Sequence, residues 1–440
     1  MSSSEIKPLR ILISGAGIGG LTAAIAFRQA GHSVKLFEKS RVLNELGAAM
    51  HLAPNASGLV RRLGLVPEMK GGIRVEWVSE YGTDGSLVFE IDASQTTDKY
   101  RHPWQLMHRV DMHSALKEIA VAKEERGVPA AIATSSRVVD VDFEENALIL
   151  ENGERHSGDV IIGADGVRSV LRSAVVGGNC SANPSGQSAF RFLLPVSEIL
   201  ADPVTAQFVA KTGKLQVWMA DDKRIVIYPC RYNLLLNFVC CHLDARNCSH
   251  EEDWGQDANK AEMLDIFKDF FPPMIALLSK APAGEIKHWQ LLDLPALPTW
   301  VKGNVALMGD AAHPFLPYQG QGGAQAIEDG VALAAVLPLG TKKEDVADRL
   351  KLYQECRYER ATRVQDVTRM LGISPTGNRE KLNGKPGTPA RASGPTTNSI
   401  AAGQFAEYNY NHDAYVSACE KLDQFLKEEK ERSEDKRCLI

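Results

Sequence analysis

Residues 9–38 constrain what this chain can fold into more than any other segment. Leu9-Arg10-Ile11-Leu12-Ile13-Ser14 is a short apolar run rich in branched residues, and it breaks into Gly15-Ala16-Gly17-Ile18-Gly19-Gly20. Apolar residues then recur at helical spacing from Leu21 to Gln29, and Ser33 to Phe37 forms a second apolar run ending in Glu38. The order is strand, glycine turn, helix, strand and terminal acid, which is the opening of a parallel α/β sheet that holds a dinucleotide. Gly15 permits the tight turn, Gly17 lets the backbone approach a pyrophosphate, and Gly20 lets helix and strand pack closely. The helix N-terminus offers unpaired N–H groups to the phosphates, and Glu38 stands where a carboxylate accepts the hydroxyls of an adenosine ribose.

The same stretch invites a second reading, because Ile11 to Phe27 is uncharged and follows Lys7 and Arg10. A signal peptide or membrane span would look similar, but the run is short for a span and carries Gly15, Gly17, Gly19 and Gly20, poor interior residues for a hydrophobic helix. No transmembrane segment is expected. The eight cysteines include no C-x-x-C pair and no His/Cys group at metal-binding spacing, so the expectation is a reduced, cytoplasmic chain without a bound metal. With 50 Lys and Arg against 55 Asp and Glu, the net charge of −5 gives no support to a nucleic-acid partner. A length of 440 residues suggests two or three domains with a large core.

Two distant segments repeat the pattern of an apolar strand ending in glycine and acid. Asp159 to Gly163 leads into Ala164-Asp165-Gly166-Val167-Arg168-Ser169 and then Leu171-Arg172. Val305 to Met308 leads into Gly309-Asp310-Ala311-Ala312-His313-Pro314, then Phe315 to Gly323 and a helix from Ala324 to Leu337. A carboxylate such as Asp310 at a strand end can bond a sugar-alcohol hydroxyl, and glycines heading a helix can donate N–H groups to an anion.

Taken together, these segments resemble the FAD-dependent aromatic hydroxylases of the salicylate and para-hydroxybenzoate hydroxylase type, with a flavour of the fungal monooxygenases of specialised metabolism. Four ordered motifs between residues 9 and 370 carry the resemblance: GAGIGG with Glu38, GAAMHLAPNA at 47–56, GADGVRSVLR at 163–172 and GDAAHPFLPYQGQGGAQAIEDG at 309–330. The resemblance implies a Rossmann-like α/β FAD-binding domain, an inserted antiparallel sheet for the substrate and a C-terminal helical segment. It further implies that Gly15, Gly17, Gly20, Glu38, Ala49 and Arg109 bind the cofactor and that Asp165 serves the pyrophosphate region. Asp310 would bond the ribityl chain, Pro317 would lie against the isoalloxazine, and the Gly322–Gly323 backbone would face its N1/C2 carbonyl. Non-covalent FAD is the implied cofactor and NAD(P)H a transient co-substrate, since only one dinucleotide fingerprint is present. The implied reaction inserts one atom of O2 into a small aromatic or alkaloid substrate through a flavin C4a-hydroperoxide.

Three residues between the motifs are candidates for the chemistry. His51 falls where some relatives of this type place a substrate base, and imidazole suits removal of a phenol proton; the alternative is a histidine packed against the flavin. Arg191, flanked by Phe190 and Phe192, starts the second excursion out of the flavin domain, and the resemblance places an arginine there at the flavin–substrate interface. Tyr228 could donate to a substrate oxygen, although a strand tyrosine is often simply core. His313 reads as a cap for its own turn.

The division expected from the sequence assigns 1–75, 104–180 and 286–340 to the FAD-binding domain, and 76–103 and 181–285 to the substrate domain. Trp218, Phe190 and Phe238 are candidates for an aromatic wall facing the substrate, although isolated aromatic residues of this kind are more often core. Residues 341–440 should be helical around a Pro/Gly-rich loop at 372–403. An epoxidase, a Baeyer–Villiger or dearomatising oxygenase, a flavin oxidase and a non-catalytic flavin-binding redox protein share the same signals. A halogenase is disfavoured by the lack of a Trp-x-Trp-x-Ile-Pro segment.

Overall fold

A computed structural model describes residues 7–41, 48–123, 125–244, 256–257, 259–372 and 404–438. Its centre is a six-stranded sheet in the order 301–302, 305–307, 160–163, 10–14, 33–37 and 131–133, parallel except for the hairpin at the first edge. Register explains why motifs hundreds of residues apart meet. Ser14 pairs with Gly163, and Gly163 with Leu307, so three strands end level and their three glycine-containing turns open along one edge. In open parallel sheets that edge is where ligands bind.

Two glycines allow the close packing this requires. Gly15 has φ +101°, and a Cβ there would lie 2.3 Å from the carbonyl oxygen of Ala164; one on Gly20 would lie 2.1 Å from the oxygen of Gly15. The helix Ile18–Gln29 covers the sheet and crosses Gly322–Val336, each buried along nearly its whole length. A membrane-like composition therefore arises from burial between sheet and helix, and no helix among the described residues is long and apolar enough to cross a membrane.

The second layer is an eight-stranded sheet ordered 256–257, 287–293, 183–195, 235–243, 223–230, 214–219, 77–81 and 87–92. All its pairings are antiparallel except that of 214–219 with 77–81, so the inserted sheet is mixed where an antiparallel one is expected. Lys287–Asp293 belongs to this sheet by its pairing with Asn183–Arg191, although the sequence division puts 286–340 on the flavin side. Its short alternation continues the pattern of the inserted strands, and the following Pro-rich turn carries the chain back.

Side-chain alternation gives this sheet two faces. Arg191, Tyr228, Val239, Cys241 and Trp289 face a large cavity. Phe190, Trp218 and Phe238 face the opposite way, into an aromatic core closed by the helices Lys260–Ile266 and Pro272–Leu278. Of the two readings of Trp218, Phe190 and Phe238, core holds and substrate wall does not, because Phe190 and Arg191 are strand neighbours and must point apart. The C-terminal part adds the helices Val346–Met370 and Ala414–Cys438, while residues 373–403 of the expected loop lie outside the described residues.

Candidate functional site

The strand edge, the helix Gly322–Val336 and the inner face of the large sheet enclose one continuous cavity of about 2780 Å³. Pockets for a single small ligand run roughly 300–1,000 Å³, so this one has room for a dinucleotide and a second molecule. Gly17, Gly19, Ala164 and Gly166 line one end; Asp310, Pro317, Gly322 and Gly323 line the middle; Arg191, Tyr228, His51 and Trp289 line the other end.

The middle is built on a helix N-terminus. Gly322 and Gly323 open a 15-residue helix, whose first N–H groups and dipole favour negative charge in the cavity. Side chains would fill this space, since a Cβ on Gly323 would lie 2.7 Å from Met50 Cε. Gly320 has φ +62°, and its Cβ would lie 2.7 Å from the His51 ring. Asp310 sits in the turn Gly309–Ala311 with its side chain exposed to the cavity.

That turn is held from two sides by residues the sequence reading passes over. Arg172 is 1% exposed and donates from Nη2 to the carbonyl of Asp310 at 2.7 Å, from Nε to that of Ala311 at 2.7 Å and from Nη1 to that of Val167 at 2.8 Å. It therefore rivets the 163–172 motif to the 309–312 turn. Asp329 Oδ2 accepts the Gly309 N–H at 2.8 Å and His313 Nε2 at 2.7 Å, while its Oδ1 accepts Arg357 Nε at 2.8 Å. His313 thus bonds a buried carboxylate rather than capping its own turn. Glu328 is bonded by Arg357, by Arg360 at 2.7 Å and by Asn55 at 2.7 Å. Burial alone would raise both acids, but Arg360 and Arg357 at Glu328, and His313 and Arg357 at Asp329, outweigh it and hold them ionised. The sequence signal is Glu-Asp in the middle of an otherwise apolar helix.

Several expected cofactor residues shape the turns without lining the cavity. Gly15 and Gly20 are packing glycines, as above. Glu38 ends its strand and accepts the N–H groups of Ala16 and Ser40, both at 2.9 Å. The carboxylate of Asp165 accepts Ser169 Oγ at 2.6 Å and the N–H groups of Val170 at 2.9 Å and Leu171 at 3.2 Å. It caps the helix Val170–Val176, and it is Ala164 and Gly166 beside it that line the cavity. Arg109 opens the helix Arg109–Val121, lines the cavity, and donates its backbone N–H to Ala48 at 2.8 Å. Gly47 of the 47–56 motif lies outside the described residues.

The three expected chemistry residues do meet. The ring of His51 stands edge-on to that of Tyr228 with centroids 4.6 Å apart, and the Arg191 guanidinium lies 4.8 Å from the centroid of Trp289. Burial, reinforced by the charge of Arg191, pushes the His51 imidazole down to about 4, so it is neutral near pH 7. Burial raises the Tyr228 phenol against the opposing charge of Arg191, so it stays protonated. Its hydroxyl donates to the carbonyl of Ala49 at 3.0 Å, and Asn237 Oδ1 accepts the Ala49 N–H at 2.9 Å, so Ala49 is clamped to the large sheet. His51 Nδ1 and Arg191 Nε are buried without a hydrogen-bond partner among the described residues. Both residues line the cavity, so a bound ligand can supply the hydrogen bonds these two atoms lack.

Comparison with known proteins agrees with this geometry. Residues 9–368 match the FAD binding domain family. Hispidin-3-hydroxylase of Neonothopanus nambi is 35% identical over 373 residues, covering 82% of this chain and 87% of that one. An FAD-dependent monooxygenase of Aspergillus candidus is 38% identical over 374 residues, covering 82% and 85%. The chain belongs to the FAD-dependent flavoprotein monooxygenases. A solved salicylate hydroxylase–substrate complex superposes with TM-score 0.73 at 26% identity over 93% of this chain and 97% of that one.

The residues present fit the flavin cofactor of this monooxygenase family. Gly17, Gly19, Gly322 and Gly323 all line the cavity, so the backbone can approach a phosphate at the first turn and a ring at the helix start without intervening side chains. FAD is the cofactor, with NAD(P)H as reductant and O2 as oxidant. When bound, it supplies the two-electron chemistry that activates O2, and the protein supplies position, polarity and exclusion of water.

Proposed function

We propose that this monooxygenase hydroxylates an electron-rich aromatic small molecule of specialised metabolism, held by an acidic oxygen against Arg191. The observation that carries the reading is the half-cavity beyond Pro317: a guanidinium with an unsatisfied Nε, stacked on Trp289 and faced by the neutral imidazole of His51. A buried cation there would stabilise a phenolate or carboxylate, and it would do so strongly because little water competes. His51 Nδ1 would accept a hydrogen bond from the substrate's hydroxyl, which draws on its proton and raises electron density on the ring that is to be oxygenated.

In this reading the glycine turn and the N-terminus of Ile18–Gln29 receive the pyrophosphate, Glu38 the adenosine ribose and Arg109 the neighbouring polar part of FAD. Asp310 takes the ribityl hydroxyls, and the N–H groups of Gly322 and Gly323 face the ring edge that gains negative charge on reduction. Tyr228 acts at one remove, fixing Ala49 and bordering Arg191. The hydroxylase names among the relatives support the aromatic class. The test is a panel of phenols, hydroxybenzoates and pyrones assayed for stimulation of NADPH and NADH oxidation by the holoenzyme. Acceleration by phenolic acids, lost when the hydroxyl is methylated, supports the assignment; a preference for neutral, non-phenolic compounds overturns it.

A further inference from the structure

We propose that His242, Asp244 and His288 bind one Zn2+ ion on the face of the large sheet that points away from the flavin cavity. Their ligand atoms all lie within 4.8 Å of one another. His242 Nε2 is 3.3 Å from His288 Nε2, and His288 Nε2 is 3.8 Å from Asp244 Oδ2. A tetrahedral ion with Zn–N and Zn–O bonds of about 2.0–2.1 Å separates neighbouring ligands by about 3.4 Å, so the three atoms already stand close to one face of such a tetrahedron.

The surrounding bonds orient the ligands as a metal site requires. His242 Nδ1 lies 2.8 Å from the carbonyl of Leu243, which only accepts, so Nδ1 carries a proton and Nε2 is the ring nitrogen placed to ligate an ion. Ser188 Oγ donates to Asp244 Oδ2 at 2.8 Å, and the Asp244 N–H is bonded to Gly186 at 2.9 Å, which fixes the carboxylate. The Phe190 ring packs on both imidazoles, with centroids 5.0 Å from His242 and 4.5 Å from His288. His242 and Asp244 are 3% and 8% exposed and the His288 side chain 21%, so the site is largely enclosed with one open side at His288. Two imidazoles and one carboxylate without a thiolate suit Zn2+ and its neighbours better than Ca2+ or Mg2+, which prefer all-oxygen sets.

The site has a structural consequence. Leu235–Leu243 and Lys287–Asp293 do not pair with each other but flank Asn183–Pro195 on either side. An ion held by His242 and His288 would staple across the central strand, directly behind Arg191, because Phe190 and Arg191 share that strand on opposite faces. His242 and Asp244 are near neighbours in the sequence, but it hides the site because His288 lies 46 positions beyond His242.

The experiment uses tag-free holoenzyme, stripped with EDTA, equilibrated with Zn2+ and freed of unbound metal by gel filtration. Wild type is expected to retain about one Zn2+ per chain, and His242→Gln and His288→Gln less than about a tenth of that, with flavin content and circular dichroism unchanged. Ser188→Ala should bind Zn2+ about tenfold or more weakly, through the loosened carboxylate. Zinc-edge X-ray absorption on the wild type, which needs no variant to fold, should show two imidazoles in the first shell. The proposal is overturned if the wild type retains no Zn2+, if either glutamine variant retains as much as wild type, or if the absorption spectrum shows no imidazole ligation.

Discussion

Gly309 donates its backbone N–H to the buried carboxylate of Asp329 at 2.8 Å, so the turn presenting Asp310 is fastened to the middle of the helix whose N-terminus faces the same cavity. Arg357 bonds the other oxygen of Asp329 at 2.8 Å, which brings the C-terminal helix Val346–Met370 into the same assembly. Flavin-site geometry is thereby tied to the packing of the C-terminal helices.

Asp329→Ala should therefore act on both stability and cofactor retention. It leaves Arg357 with one carboxylate fewer and the Gly309 N–H without its acceptor, a loss of about 3–5 kcal/mol for a broken buried pair. Urea denaturation of the flavin-free protein measures the first effect, and flavin released on gel filtration measures the second. A variant as stable as wild type would show that the network is dispensable.

Arg191→Ala and Asp310→Ala should separate the two halves of the cavity. Removing the Arg191 charge should leave the flavin bound and lower product formation about 10²–10³-fold, the usual scale for losing one preorganised electrostatic group. Asp310→Ala should raise the FAD dissociation constant about tenfold or more, the loss of a charge-assisted hydrogen bond worth about 1.5–3 kcal/mol. Equal flavin loss in both variants would move Arg191 to the cofactor side.

Tyr228→Phe removes the donor to the Ala49 carbonyl. A stability loss of about 1–2 kcal/mol is expected from the unsatisfied oxygen. Turnover should fall less than in Arg191→Ala, because the phenol positions its neighbours without touching the reacting atoms. A larger fall than that of Arg191→Ala, with flavin still bound, would make the phenol a direct participant.

Acid stability should carry the signature of buried neutral histidines. His51 and His412 are each pushed down to about 4, His51 by burial and the Arg191 charge, His412 by burial against the opposing charge of Glu328. A group whose folded value is depressed gives its full contribution above the unfolded value near 6.5 and loses it as pH falls toward the folded value. Flavin-free protein should thus lose stability between pH 6.5 and 4, by up to about 1.4 kcal/mol per pH unit for each histidine. His51→Asn should flatten that slope while leaving stability above pH 7 much less affected; an unchanged slope would exclude His51 as a source.

Much of the fold is legible in local patterns. The glycines at 15, 17 and 20, the strand ends at Gly163 and Leu307 and the helix after Gly322 follow from short-range rules, and parallel register then brings them to one edge. What escapes is set by which way side chains point and by partners far along the chain. Phe190 and Trp218 can be read as substrate wall or as core, and period-two alternation makes them core once Arg191 faces the cavity. Asp165 looks like a ligand for the cofactor, yet its oxygens are used on the helix that follows it. Arg172 and Asp329 matter because of bonds to residues 138 and 20 positions away, which no local motif records. The strand Lys287–Asp293 belongs to the large sheet through pairing with residues about 100 positions earlier.

On the proposed function, one cavity holds FAD beside an aromatic substrate anchored at Arg191, with O2 as the source of the new oxygen. The most direct measurement follows the reaction of the purified holoenzyme with NADPH and a phenolic acid under 18O2. The product should gain one labelled oxygen atom, with NADPH oxidation accelerated by the substrate in wild type and product formation lost in Arg191→Ala despite bound flavin. Product carrying oxygen from water, or substrate that reduces the flavin with no NAD(P)H present, would contradict it.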